Sequence, residues 1–262
     1  MRKIITSQLY QLGRSFSILR ICILMLLAMG GMGVLLTATS ESEKTASAMI
    51  ATANGVLWLF QIMMVGILVA FLCAEDFHEK DLNYELMCGH SRLEIYFARA
   101  FLSVLITPLA ALILSFAPAI AATAVFGWGD TFPPSDAILR LALFAFPYIR
   151  FAAFFSMTAF LTRNRSITII LSFASMVLAT ILVNEATDKA GYALSLFNLM
   201  KLSDFGGFSL YNVVPGVGVV EYTAKVCTTE PELIYGTIVV SLAMTAVYLL
   251  AGYAFFRRDD LD

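Results

Sequence analysis

Apolar and polar positions alternate along this chain in long blocks. Six apolar stretches, at residues 19–38, 55–74, 95–126, 137–161, 167–184 and 233–256, each approach or exceed the roughly 20 helical residues that a hydrocarbon layer about 30 Å thick requires. The pattern predicts six transmembrane helices. The third stretch is longer than one crossing needs, so its ends project or the helix tilts. Ahead of the first stretch, Ile5, Leu9, Leu12, Phe16 and Leu19 recur every three or four residues, while Lys3, Gln11 and Arg14 fall on other faces. That spacing predicts an amphipathic helix over residues 1–18, lying along the membrane surface. Residues 39–54 are polar and are expected outside. Residues 185–232 mix turn signals, "DFGGF" and "VVPGVGVV", with Leu194, Leu196, Phe197, Leu199 and Met200. An extracellular loop holding short or re-entrant helices is expected there, since irregular backbone at membrane depth survives only when buried in protein or facing water.

Composition strengthens this reading. The chain is 60% hydrophobic and only 14% charged, which places it among polytopic membrane proteins as a single domain over residues 1–262. Basic residues fix the expected orientation. One side carries Arg2, Lys3, Arg14, Arg20, Lys80, Arg92, Arg99, Arg163, Arg165, Arg257 and Arg258; the other carries Lys44, Lys189, Lys201, Lys225 and Arg140. The richer side is cytoplasmic by the positive-inside rule, so both termini are expected in the cytoplasm. A cleaved signal peptide is the rival reading of the N-terminus, but about twenty residues with their own helical pattern precede the apolar run. The four cysteines show neither a disulfide framework nor a paired metal spacing.

The longest charged interruption in the first half is "DLNYELMCGHSRLEIYFAR", residues 81–99. Leu82 and Leu86 are four apart, as are Asp81 and Glu85, which suits a short helix with acids, bases and Tyr84 toward water. Gly89 is placed to end that helix in a left-handed turn. Ser91 followed by Glu94 is a capping box that should begin the next long helix. The sequence thus predicts a short helix, a tight turn and a new helix between the second and third crossings. An ordinary solvated hairpin is the plainer alternative.

The run "GHSRLEIYFAR" resembles a pattern in the first cytoplasmic loop of ATP-binding-cassette transporter permeases of the type-2 exporter class, carried here by Gly89, Ser91, Arg92, Ile95, Tyr96 and Arg99. The ending "YAFFRRDDLD" is similar to that family's close, and the layout of six spans with an interfacial helix matches across the chain. The resemblance implies that residues 75–94 form a cytoplasmic coupling segment, with a helix near 75–87 seated in a groove of a separate ATPase subunit. Glu75, Asp76, Glu79, Glu85 and Arg92 would make that contact, with Gly89 and Ser91 shaping the turn. Two permease copies, identical or different, would pair with two such subunits in a bacterial plasma membrane. ATP and magnesium would sit on the partner. In agreement, no Gly-Lys dipeptide occurs, so this chain has no phosphate-binding loop of that type. Charge reversal at Glu85 or Arg92 is expected to spare folding and weaken the contact.

Within the spans, Arg150 is the most costly residue, about 2.5 kcal/mol or more at the centre of a bilayer by insertion scales. It could pair with carbonyls freed by Pro147 or with Glu185, or it could face a substrate path. Gln61 is a second candidate for the path, although a lone amide more often bonds a neighbouring helix. Catalysis is not expected, because His78 and His90 both lie in the loop and every aspartate sits at a span end or outside. The spans also lack the midplane carboxylates that an ion-driven carrier would use. No nucleic-acid partner is implied. Exporters of this size resemble subunits that move or confer immunity to amphipathic peptides, including lantibiotics and phenol-soluble modulins. Drugs, lipid-linked glycans and a non-transporting sensor or immunity role remain alternatives.

Overall fold

The computed structural model describes residues 2–14, 16–39, 45–74, 77, 85–129, 133–185, 195–203, 210–214, 218–222 and 231–258. The described chain is helical except for one short hairpin. Helix α1 covers Arg2–Arg14, α2 Phe16–Thr39, and α3 Ala46–Val69 with a wider π turn at Ala70–Ala74. Beyond a connector come α4, Arg92–Phe126, α5, Pro134–Leu143, α6, Ala145–Thr162, and α7, Arg165–Glu185. Then follow α8, Ser195–Ser203, strands β1, Leu210–Val214, and β2, Gly218–Tyr222, and α9, Pro231–Arg258.

Among the described residues, three helices are long and apolar enough to cross a membrane: Arg92–Phe126, Pro134–Thr162 and Pro231–Arg257. A fourth exists if Ile4–Arg14 and Leu19–Met32, bent 60° to each other, count as one. The expected third stretch is indeed overlong: 35 residues of helix rise about 50 Å at 1.5 Å each. The expected fourth stretch is one span, interrupted at the single residue Phe144 between α5 and α6. Its proline, Pro147, has no N–H to give and its ring crowds the carbonyl of Leu143, the residue on which α5 ends.

The bundle exposes apolar side chains and buries small hydroxyls within its apolar core. Along α4 the exposed residues are Phe101, Leu105, Leu109, Ile113 and Ile120, while Ser103, Thr107 and Ser115 are buried. In α7 Ile167, Ile170 and Phe173 are exposed and Thr168 and Ser172 are buried. The buried hydroxyls mostly bond their own helix: Thr107 to Ser103 O at 2.7 Å and Ser172 to Thr168 O at 2.7 Å. Small residues then let backbones approach, as at Gly66, where an added Cβ would lie 3.0 Å from Ser172 Cβ.

Helix α6 is the hub, packed on α3, α4, α7 and α9, with its widest interface against α9. Of its best apolar window 61% is buried, against 17% for α9, so α9 lies at the edge of the bundle. At the end away from the connector, the carbonyls of Gly127 and Trp128 accept the backbone N–H groups of Ala46 and Ser47 at 3.0 and 2.8 Å. Two orphan donors of the α3 N-terminus are satisfied in this way.

Helix α1 packs on α4 with Ile4 and Gln8 buried and Ile5 and Leu12 partly buried beside them, while Leu9 is exposed. Within residues 185–232, one short helix is present as expected, α8, with Asn198, Leu199 and Leu202 fully buried among α3, α5, α6, α7 and α9. The same segment also holds β1 and β2, antiparallel, with Asn212 opposite Val220. Valines 213, 214, 219 and 220 favour extended backbone, which accounts for a hairpin the helical reading omitted.

Candidate functional site

The candidate site is the connector and the helix ends around it. Glu75, Asp76 and Glu79 lie outside the described residues. Residues 85–87 form a helical turn that ends as the sequence predicts. Gly89 takes φ +86°, its N–H donates to Leu86 O at 3.0 Å, and the next N–H, of His90, reaches Glu85 O at 3.3 Å. This pair of bonds is the Schellman closure, for which glycine has no Cβ penalty. The capping box is also present: Glu94 N–H donates to Ser91 Oγ at 3.2 Å, and Ser91 N–H to Glu94 Oε2 at 3.4 Å. That second bond holds the Glu94 carboxyl below its ordinary pKa. His90 Nδ1 lies 3.7 Å from the same Oε2.

Glu85 does not face water as the sequence reading has it. Its carboxylate meets Arg99 Nη2 at 3.1 Å, with the Arg99 side chain 1% exposed and that of Glu85 25%. Arg99 is about two turns inside α4, and a buried guanidinium requires a partner. The expectation that charge reversal at Glu85 spares folding is therefore corrected. Arg92 remains at the surface, where its Nη1 donates to Arg257 O, at the end of α9, at 3.5 Å.

An aromatic node joins the same elements. Phe77 in the connector stands edge-on to Phe160 of α6, at 5.6 Å, and to Phe256 of α9, at 6.4 Å. Tyr96 of α4 packs on both of these rings, and its hydroxyl donates to Leu249 O at 2.8 Å. Gly252 lets that hydroxyl approach α9. Arg165, capped in place after Asn164, lies 3.6 Å over the Phe71 ring in the π turn. The connector is thus fastened to three helices, α4, α6 and α9, by an ion pair, hydrogen bonds and ring contacts.

Gln61 and Arg150, the candidates for a substrate path, are both buried. Gln61 Oε1 accepts from the Tyr148 hydroxyl, which is also within reach of Ser115, while Gln61 Nε2 is buried without a partner. Arg150 is 1% exposed. It lies close to Tyr248 of α9, a neighbour that sequence reading missed; the Glu185 side chain lies outside those described. Arg140, assigned to the outer end of a span, is also buried, and Asp136 one turn earlier pairs with its Nε at 3.0 Å. Among the described residues, no three His, Cys, Asp or Glu side chains gather as a metal site. No family model matches the chain, and no curated protein matches it.

Proposed function

We propose that the chain is the membrane permease subunit of an ATP-driven exporter, of the type-2 class it resembles. In this reading six helices cross the bilayer, both termini are cytoplasmic and the connector receives a separate ATPase subunit. The observation that carries the proposal is the fastening of the connector to α4, α6 and α9. A loop that only links two spans needs no buried ion pair and no ring node. A lever does, because a push on residues 75–91 then reaches three helices with little loss in deformation.

The charge pattern supports the orientation. Arg92, Arg99, Arg163, Arg165 and Arg257 lie on helix ends next to the connector, whereas Arg140, toward the far end, is paired with Asp136. The apolar exposed faces support a lipid surround. Amphipathic peptides are the cargo class we favour; drugs, lipid-linked glycans and a non-transporting sensor are the competing outcomes.

The test is co-expression with cytosolic ATP-binding-cassette ATPase subunits from the same genome. A stable complex with two copies of each subunit, and ATP-dependent uptake of a labelled amphipathic peptide into inverted vesicles, is expected. Uptake that proceeds without the ATPase, or an ATPase that never associates, overturns the reading.

A further inference from the structure

Helix α7 packs along α3 and the π turn that follows it, and the two helices leave a groove between them. Ile62, Gly66 and Ser172 are buried in its floor, Ile67 and Ile169 stand half-buried on its rim, and Phe173 is exposed beside them. The groove holds about 220 Å³ of empty space. Glycine at 66 keeps it open, since a Cβ there would close to 3.0 Å from Ser172 Cβ. The hydroxyl in this lining, of Ser172, already donates to Thr168 O at 2.7 Å. What the groove offers a guest is therefore hydrocarbon contact.

The end of the groove nearest the connector is charged. Arg165 precedes Ile169 by four residues and Phe71 follows Ile67 by four, so both continue the helix faces that form the groove. They meet there, with the Arg165 guanidinium carbon 3.6 Å from the centroid of the Phe71 ring. A guanidinium stacks on a ring through its face and binds phosphate through its edge, so the two contacts are compatible. Arg165 is also the first residue of α7, where the apolar run begins, and Arg163 adds a second positive charge in the turn before it. From Arg165 to Phe173 the rise along α7 is about 12 Å at 1.5 Å per residue. Charge at the start of the apolar run and hydrocarbon beyond it follow the order of head and tail in a leaflet.

We infer that the α3–α7 groove, with Arg165 at its charged end, is a binding site for an anionic phospholipid of the surrounding bilayer. The phosphate meets Arg165 at the membrane surface, and one acyl chain runs along the groove past Ile169 and Gly66. Basic pockets between spans recognise anionic headgroups in this way. A free phosphate would leave the groove unused, and an uncharged lipid would leave the guanidinium without an anion. The inference goes beyond the export reading and needs only that these helices stand in a bilayer, so its failure leaves that reading intact.

The measurement is native mass spectrometry of the full chain in detergent, titrated with phosphatidylglycerol or phosphatidylcholine. Phosphatidylglycerol should fill a saturable site about fivefold more tightly than phosphatidylcholine, the scale of one basic residue near a membrane surface. Arg165→Gln should abolish that preference while sparing phosphatidylcholine binding. Ile169→Trp, which fills the groove from its rim, should weaken both lipids. Unfolding midpoints without added lipid identify the variants that fold, and if Arg165→Gln does not, Ile169→Trp decides. Competition by glycerol phosphate would mean that a free phosphate suffices, and equal competition by an acidic amphipathic peptide would reassign the groove to a peptide. Loss of lipid on dimerisation would reassign it to a second copy of the chain. Any of these overturns the inference, as does equal affinity for the two lipids or binding that the folded variants leave unchanged.

Discussion

Glu85→Lys is expected to be the most damaging single substitution at the connector. It removes the partner of a guanidinium that is 1% exposed and sets a second positive charge about 3 Å away. Breaking a fully buried pair costs about 3–5 kcal/mol. Glu85 retains 25% exposure, so solvent screens part of this and roughly 2–4 kcal/mol is the appropriate scale. In a small domain that is a large fraction of the total stability. Thermal unfolding in detergent should show a strongly lowered midpoint, with Glu85→Gln intermediate. The exchange of both charges, Glu85→Arg with Arg99→Glu, should recover part of the loss, because the coupling belongs to the pair. A midpoint unchanged by Glu85→Lys would mean that the ion pair does not hold the connector. Arg92 is the better probe of docking, since its side chain is at the surface, where it donates to the carbonyl of Arg257.

Gly252→Val should be nearly as severe. A Cβ at 252 would overlap the Tyr96 hydroxyl and come 3.2 Å from Met157 Cα, which is backbone and cannot turn away. Overpacking of this kind costs about 1–3 kcal/mol, and displacing the hydroxyl from Leu249 O costs about 1 kcal/mol more. A two-variant cycle separates these effects. Gly252→Ala and Tyr96→Phe should each destabilise, but together they should cost less than the sum, because phenylalanine lacks the atom that the new methyl would strike. Simple additivity in unfolding midpoints would show that Tyr96 and Gly252 do not meet.

What the sequence reveals and what it hides divides along a physical line. The left-handed Gly89 and the Ser91–Glu94 box are legible because their geometry depends on residues three or four positions away. The long apolar helices are legible because hydrocarbon thickness sets their length. Arg150 is recognisable as costly from its apolar neighbours alone. Its position beside Tyr248 is not, nor is the pairing of Gln61 with Tyr148, since each depends on how two distant helices are rotated when they pack. Glu85 shows the same limit at shorter range. A carboxylate before a turn reads as solvated, and only the return of α4 along the connector brings Arg99 to it. The hairpin of β1 and β2 was obscured by the helical background, although its valines carried the signal.

The claim on which the account rests is that the connector faces the cytoplasm, and Cys88 tests it without an introduced label site. Cys88 is exposed in the turn, whereas Cys22 is half-buried and Cys73 buried; Cys227→Ser removes the remaining thiol. Treatment of cells with a membrane-impermeant maleimide should leave Cys88 unmodified while the cells are intact and modify it fully once the membrane is permeabilised. Modification of Cys88 in intact cells would place the connector outside and contradict the account.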